Sequence, residues 1–243
     1  MAETVVAIEH VTQNYGKTTV LRDIDMTIEQ GEILGLLGPS GSGKTTLVKT
    51  IIGMNLPKIG HVSVRGIEMP SLQAAKSIGY MAQSDALYED LNGMENLMFF
   101  GRLYGMNRKE ARESAQRVLK LTELHLDAKK AVKYYSGGMK RRLSLCIAMI
   151  HNPDILILDE PTVGIDPLLR RIFWKEFKRL ADIGTTIIIT THVMDEAEHC
   201  DRLAFIRGGE VTAVGHPDGL KILSGQDTIE GAFLYFGANG EVI

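Results

Sequence analysis

The sequence predicts an α/β protein built on a mainly parallel sheet with helices on both faces. Three observations carry that expectation. Short apolar or β-branched runs alternate with helical segments towards both ends of the chain, the pattern of strands joined through crossover helices. The segment GPSGSGKTT, residues 38–46, stands between an apolar run and a helix-forming run. From residue 92 to about residue 126 the pattern turns helical and rich in charge, with no strand candidate. That stretch predicts a helical insert in an α/β body.

Residues 5–8 (VVAI) and 21–28 (LRDIDMTI) have strand content, the second with alternating polarity. Gly31 and Glu32 mark a turn. Residues 33–37, ILGLL, form an unbroken apolar run suited to a strand buried on both faces. A glycine-rich loop comes next, then a helix over about 44–52. GHVSVRG, residues 60–66, is a short strand between glycines, and 78–82 (IGYMA) is another strand. Asn92 with Glu95, and Asn107 with Glu110, have the spacing of capping boxes, with asparagine as the cap. SGGMKRRLSLCIAMI supplies the last helix of the insert. Strand and helix then alternate again. Residues 155–158 (ILIL) are a buried strand, Pro167 opens a helix to about 180, and 185–191 is a β-branched strand. A short helix over 194–199, a hairpin turning at Gly208 and Gly209, and a helix over 227–236 complete the chain.

Composition narrows the partners. The formal net charge over 243 residues is -3, so no global basic field points to nucleic acid or an anionic membrane. The longest apolar run of note, residues 143–150, falls short of the roughly 18 residues that a membrane span needs. MAETVVAIEH lacks the basic region and apolar core of a signal peptide. Cys146 and Cys200 have no metal-ligand spacing and read as reduced, buried cytosolic thiols.

Two segments carry chemistry. GPSGSGKTT fits the pattern G-x-x-x-x-G-K-[ST] in its required place, after a strand and before a helix. Its glycines let successive backbone N–H groups curl round a phosphate. Lys44 offers a point charge to β and γ phosphates, and the Thr45 hydroxyl is a Mg²⁺ ligand. This pattern predicts a nucleoside triphosphate site. ILILDE, residues 155–160, ends a buried strand in two adjacent carboxylates. Neighbouring strand residues point to opposite faces, so the two cannot share a job. Asp159 is expected to face the metal, generally through water, and Glu160 to face an attacking water as general base. A third segment, YSGGMKRRLSL, places Gly137 and Gly138 behind Ser136 where a helix begins. Glycine costs a helix interior roughly 1 kcal/mol against alanine, so a pair of them calls for a reason. Bare N–H groups at a helix start suit an anion.

With these segments in place, the chain resembles the ATP-binding subunits of ABC transporters over nearly its whole length. Ser136, Gly137 and Gly138 match the signature sequence of that family. The resemblance implies a P-loop NTPase core with a mainly parallel sheet, an N-terminal antiparallel β subdomain and an inserted α-helical subdomain. It implies one ATPase domain over 1–243, with 1–90 and 153–243 as the catalytic core and 91–152 as the insert. ATP and Mg²⁺ are the expected ligands, held on Gly38, Pro39, Ser40, Gly41, Ser42, Gly43, Lys44, Thr45 and Thr46. In this family the signature of one chain lies against the ATP of another, which answers the question of the second anion site. A homodimer, or a heterodimer with a similar subunit, is therefore implied.

Other positions carry over singly. Tyr15, in NYGKTTVL, matches the aromatic that stacks on adenine. Gln83, in YMAQSDALYEDL, matches the glutamine that touches Mg²⁺ and the attacking water and leads to the membrane-facing segment. Asp166, in PTVGID, matches the aspartate that meets the other subunit's phosphate loop. His192, in TTHVMDEAEHCDRL, matches the switch histidine near the γ-phosphate; His151 and His199 have no such match. Tyr135, Met139 and Ala82 stand where the family usually has leucine, glutamine and proline. YSGGMKRRLSL, DEPTVGIDP and DTIEGAFLYFG look most like subunits that energise exporters of drugs, lipids or polysaccharides, the ABC-2 group. The resemblance thus implies an ATP hydrolase on the cytoplasmic side of the membrane, peripheral, working on separate transmembrane permease subunits, with no direct nucleic acid contact. Apolar Met98, Phe99 and Phe100 are expected to help dock the permease. An alternative is a soluble ABC-type ATPase acting on nucleic acid or ribosomes. Such proteins usually carry paired nucleotide domains or long coiled coils, and this chain has neither. A non-hydrolysing sensor would not be expected to keep Glu160 and His192.

Overall fold

The computed structural model describes residues 3–84 and 86–239. In chain order the strands and helices are β1 (Thr4–Tyr15), β2 (Thr18–Glu29), β3 (Ile33–Leu37), α1 (Lys44–Ile51), β4 (Ile59–Val64) and β5 (Ile67–Glu68). Then come α2 (Leu72–Ala75), β6 (Ile78–Met81), α3 (Gly93–Leu103), α4 (Arg108–Leu121), α5 (Gly137–Met149) and β7 (Ile155–Asp159). The last are α6 (Pro167–Asp182), β8 (Thr186–Thr191), α7 (Met194–Ala197), β9 (Arg202–Arg207), β10 (Glu210–Gly215), α8 (Pro217–Ser224) and α9 (Ile229–Asn239). The α/β class is as the sequence predicts. The chain divides into two compact units, residues 1–75 with 180–243, and residues 76–179.

The first unit holds an antiparallel sheet in the order β2-β1-β4-β5 and the strands β10-β9-β3-β8. β3 is parallel to both β8 and β9, while β10 folds back on β9 as the expected hairpin. β1 and β2 are each 12 residues long, well beyond the short runs that the apolar pattern marks. The reason is local. His10 and Asp23 take left-handed φ values of 51° and 46°, and the pairing register shifts between Ile8 and Gln13. Bulges of this kind carry a strand through a break in its alternation. Phe205, Phe233 and Phe236 pack ring on ring in the core of this unit. The helix α8, which the apolar pattern does not mark, starts at Pro217 and ends on Gly225 in the left-handed region (φ 65°), both ordinary punctuation for a helix.

The second unit has β6 and β7 in parallel, with α3, α4 and α5 between them in sequence. Both capping boxes form. The Asn92 side chain accepts from the Glu95 N–H and the Glu95 carboxylate accepts from the Asn92 N–H, each at 2.9 Å. Asn107 and Glu110 repeat the exchange. Leu97, Val118, Leu119, Leu143 and Ile147 form part of the apolar core. Tyr135 is buried, and its hydroxyl donates to the Asp127 carbonyl at 2.8 Å. The departure from leucine there gains a polar anchor for the start of α5.

His151, which has no family match, packs against the insert's α3 end. It stacks flat on Tyr104, with ring centroids 3.6 Å apart and planes 6° from parallel. Burial pulls its pKa down from 6.5 to about 4. Between those values the unfolded chain binds the proton and the folded chain does not, so stability is lost as pH falls from 6.5 towards about 4. Denaturant melts over that range should show a steeper pH slope for wild type than for His151→Gln. Equal slopes would mean that His151 ionises alike in both states.

Candidate functional site

In the first unit, β3 is buried along its whole length. Its last residue, Leu37, lies in register with Thr191 of β8 and Phe205 of β9. The loop 38–46 and His192 therefore leave adjacent parallel strands at the same end. Ligands of open α/β sheets bind beyond those carboxyl ends. Sterics fix the loop. A Cβ on Gly38 would stand 2.2 Å from the Ile206 carbonyl oxygen, so no other residue fits. Gly43 has φ 111°, and a Cβ there would press on the Leu21 side chain and the Val20 carbonyl. Gly43 also caps α1, with no side-chain cap and no acidic residue in the first turn. The positive end of the helix is thus left to the loop, an arrangement that favours an anion.

Lys44 is 6% exposed, and its Nζ donates to the Gly38 and Pro39 carbonyls at 2.6 and 3.0 Å. The cation lies across the start of its own loop. Ser42 is buried, Thr45 and Thr46 are half-buried, and Pro39, Ser40 and Gly41 are exposed. The hairpin turn braces this loop: the Gly209 N–H donates to the Ser42 carbonyl at 3.1 Å, and the Gly209 carbonyl accepts from the Arg22 N–H at 2.8 Å. His192 is exposed at a turn where the Val193 N–H donates to the Thr191 hydroxyl oxygen and that hydroxyl donates to buried Glu196. Tyr15 ends β1, half-exposed, with its hydroxyl accepting from the Asn55 side chain at 2.8 Å.

The second unit gathers the other motifs in the same manner. Met81 of β6 lies opposite Leu158 of β7, so Gln83 and the pair Asp159–Glu160 leave parallel strands together. Asp159 is 1% exposed. Burial pushes the phenol of Tyr80 up to about 12, and the charge of Asp159 adds to the effect. Glu160 is half-buried with φ 53°, a conformation that residues with a Cβ rarely adopt. Gln83 is exposed.

Ser136 is the N-cap of α5, its Oγ accepting from the Met139 N–H at 3.2 Å. The hydroxyl proton remains for another acceptor. Gly137 has no positive φ, and a Cβ there would meet nothing within 4 Å. Among the described residues no contact asks for glycine at that position. A Cβ on Gly138 would stand 3.4 Å from the Gly164 carbonyl oxygen, which brings the loop 160–166 to the start of α5. Asp166 caps α6: one carboxylate oxygen accepts from the Leu168 and Leu169 N–H groups at 3.1 and 3.0 Å. The local capping role accounts for the residue type by itself and leaves the second oxygen for other work.

One residue of this cluster escapes sequence reasoning. Arg141 is 7% exposed, and its guanidinium donates to the carbonyls of Ala82, Gln83, Asp159 and Glu160. The signal available in the sequence is the run Lys140-Arg141-Arg142 directly behind the glycines. Only the fold separates the three cations: Lys140 pairs with Glu89, and Arg142 donates to the Thr122 carbonyl.

Residues 21–163, more than half of the chain, match the family described as ABC transporter. The chain belongs to the ABC transporter family. It is 39% identical over 239 residues to the probable multidrug ABC transporter ATP-binding protein YbhF of Escherichia coli (strain K12), covering 96% of this chain and 41% of YbhF. The chain thus spans about two-fifths of that relative. It is 41% identical over 224 residues to the linearmycin resistance ATP-binding protein LnrL of Bacillus subtilis (strain 168), covering 91% of this chain and 72% of LnrL. Among solved structures, the ATP-binding cassette MJ0796, a dimer in a post-hydrolysis state bound to ADP and Pi, superposes with a TM-score of 0.80. That likeness is at 27% identity and covers 87% of this chain and 98% of the cassette chain.

The contrast between the glycines is testable. Gly43→Ala should cost about 1–3 kcal/mol of stability, because alanine is forced into a left-handed conformation and a crowded site. Gly137→Ala should leave stability unchanged or raise it by up to ~1 kcal/mol, since the helix gains a better residue. Urea midpoints read both. A destabilised Gly137→Ala would place the need for that glycine inside the chain.

Proposed function

We propose that this chain is the ATP-binding and ATP-hydrolysing subunit that energises a membrane exporter, acting through ATP-driven dimerisation. The observation that carries the reading is the loop 38–46, whose Gly38 and Gly43 are sterically required and which caps α1 with backbone alone at the exit of a buried parallel strand. The family match supports ATP as the ligand of that loop. The names of YbhF, a probable multidrug ABC transporter ATP-binding protein, and LnrL, a linearmycin resistance ATP-binding protein, support export. The dimeric cassette MJ0796 supports association of two chains, either two copies of this one or this one and a similar subunit.

In this reading the loop N–H groups and Lys44 hold the β and γ phosphates, and Tyr15 stacks its exposed ring on adenine. Lys44 leaves the Gly38 and Pro39 carbonyls to do so. Glu160 takes a proton from the attacking water as general base, and His192 holds the γ-phosphate side of the reaction. Thr45, Gln83 and Asp159 each offer an oxygen ligand, the kind that Mg²⁺ takes. The ion, when bound, supplies neutralising charge to the phosphate oxygens. Ser136, Gly137 and Gly138 meet the nucleotide of the partner chain. The bare face at Gly137, which no contact among the described residues explains, supports that role. Asp166 turns its second oxygen to the partner's phosphate loop.

The permease is a separate chain that spans the membrane. Among the described residues no helix is long and apolar enough to cross a membrane. We place this subunit peripherally at the cytoplasmic face, with α3 against the permease. Tyr88, Phe99 and Phe100 form a ring cluster there, with Tyr88–Phe99 centroids 4.8 Å apart, and Phe99 and Leu103 remain 43% and 70% exposed.

Two substitutions check the chemistry. Lys44→Ala should lose most MgATP affinity by calorimetry, because the loop then has no cation of its own; unchanged affinity would remove the phosphate site from residues 38–46. Glu160→Gln should bind MgATP as wild type does and turn it over at least ~100-fold more slowly. Wild-type turnover would take Glu160 out of the base role.

A further inference from the structure

The guanidinium of Arg141 joins the two segments that leave β6 and β7 in the second unit. Its Nη1 donates to the Ala82 and Gln83 carbonyls at 2.7 and 3.0 Å. Its Nη2 donates to the Asp159 and Glu160 carbonyls, the latter at 2.6 Å. All these acceptors are backbone, so their positions report where the chain runs rather than how a side chain has turned. A guanidinium is a rigid planar fork with donors in fixed directions. It can hold two backbone segments at a set separation, which a flexible ammonium cannot.

The backbone at Glu160 needs holding. Its φ of 53° lies in the left-handed region, where a glutamate is strained. Such a conformation persists only when the surroundings over-determine it. The Arg141 bond to the Glu160 carbonyl lies on that strained peptide, and the bonds to Asp159 and to Gln83 anchor the neighbours. Arg141 itself is the fifth residue of α5, whose first residues are Gly137 and Gly138. One helix therefore carries the bare glycine face at its start and this clamp one turn further on.

We propose that Arg141 is a positioning residue for hydrolysis: it fixes the backbone of Glu160 and of Gln83 in a single register, so that the carboxylate is aimed at the attacking water. The proposal rests on the reading of Glu160 as general base. It assigns Arg141 no contact with nucleotide, so substitution should spare binding and strike the chemical step. Displacement of a catalytic group by about 1 Å can cost on the order of 100-fold.

The test is steady-state ATP turnover of the full chain carrying Arg141→Lys and, separately, Arg141→Gln, beside MgATP calorimetry and a thermal melt. Lysine keeps the charge without the fork, and glutamine can donate to only part of the acceptor set. Both should lower kcat by roughly 10- to 100-fold, with KM and the MgATP dissociation constant within about twofold of wild type. A double-mutant cycle with Glu160→Gln isolates the route. On that background Arg141→Lys should change the residual turnover by less than about twofold, because there is no base left to aim. Turnover of Arg141→Lys close to wild type would overturn the proposal. So would a full additional loss on the Glu160→Gln background, or a loss confined to KM. If both Arg141 variants fail to fold, the residue is needed by the fold and not specifically by turnover, and the proposal falls. Wild-type turnover of Glu160→Gln alone would instead overturn the base reading, and the two failures are distinguished by which single variant shows them.

Discussion

A strand buried on both faces has little room for charged side chains along its length, so its chemistry is pushed to its exit. β3, β7 and β8 are buried at every residue. β3 and β8 are apolar or β-branched throughout, and β7 is so until Asp159. The polar groups come at the end: the glycine loop after Leu37, Asp159 and Glu160 at the close of β7, and His192 after Thr191. Parallel pairing then aligns those exits. Leu37 is level with Thr191, and Met81 is level with Leu158. Each unit thereby collects its own set of candidate site residues at the carboxyl ends of its strands, where a parallel sheet offers unshared backbone groups.

Beyond these exits the backbone departs from ordinary preference. Gly43 sits at φ 111° and Glu160 at φ 53°. The first is relieved by having no Cβ, and the second is braced through the Arg141 bond to its carbonyl. Gly137 is the reverse case, with an ordinary backbone and open space where a Cβ would be. Places where local rules are broken without local need are where function is expected to reside. In this chain they fall at Gly43, Glu160 and Gly137, the residues proposed for the phosphate loop, the base and the signature.

Much of this was legible in the residues. Motif spacing located the loop 38–46 and the acidic exit of β7, and both asparagine capping boxes form where the sequence has them. Apolar runs located the buried strands, since strand identity there is decided by burial. The full length of β1 and β2 was not legible, because the bulges at His10 and Asp23 break the alternation that marks a strand. Arg141 was hidden for a different reason. In sequence it is one of three adjacent cations, and its four acceptors are main-chain carbonyls, which have no signature in a sequence. Asp166 shows the converse: a capping aspartate and a functional aspartate look the same before the fold is known.

The central claim is that the signature of one chain completes the nucleotide site of another. Mixing two defective chains tests it most directly. Ser136→Arg blocks the signature face and leaves that chain's own loop intact, while Lys44→Ala empties the loop and leaves the signature free. Both chains also carry Glu160→Gln so that any ATP-bound dimer persists, and they bear different tags. Neither chain alone should self-associate with MgATP. The mixture can build a single complete site, from the loop of the first and the signature of the second. Pull-down should therefore show MgATP-dependent co-capture, weaker than that of chains with intact signatures and loops, and rising with chain concentration. If MgATP never increases co-capture at any concentration, while tagged Glu160→Gln chains with both sites intact do associate, the signature does not act across subunits and the account is wrong.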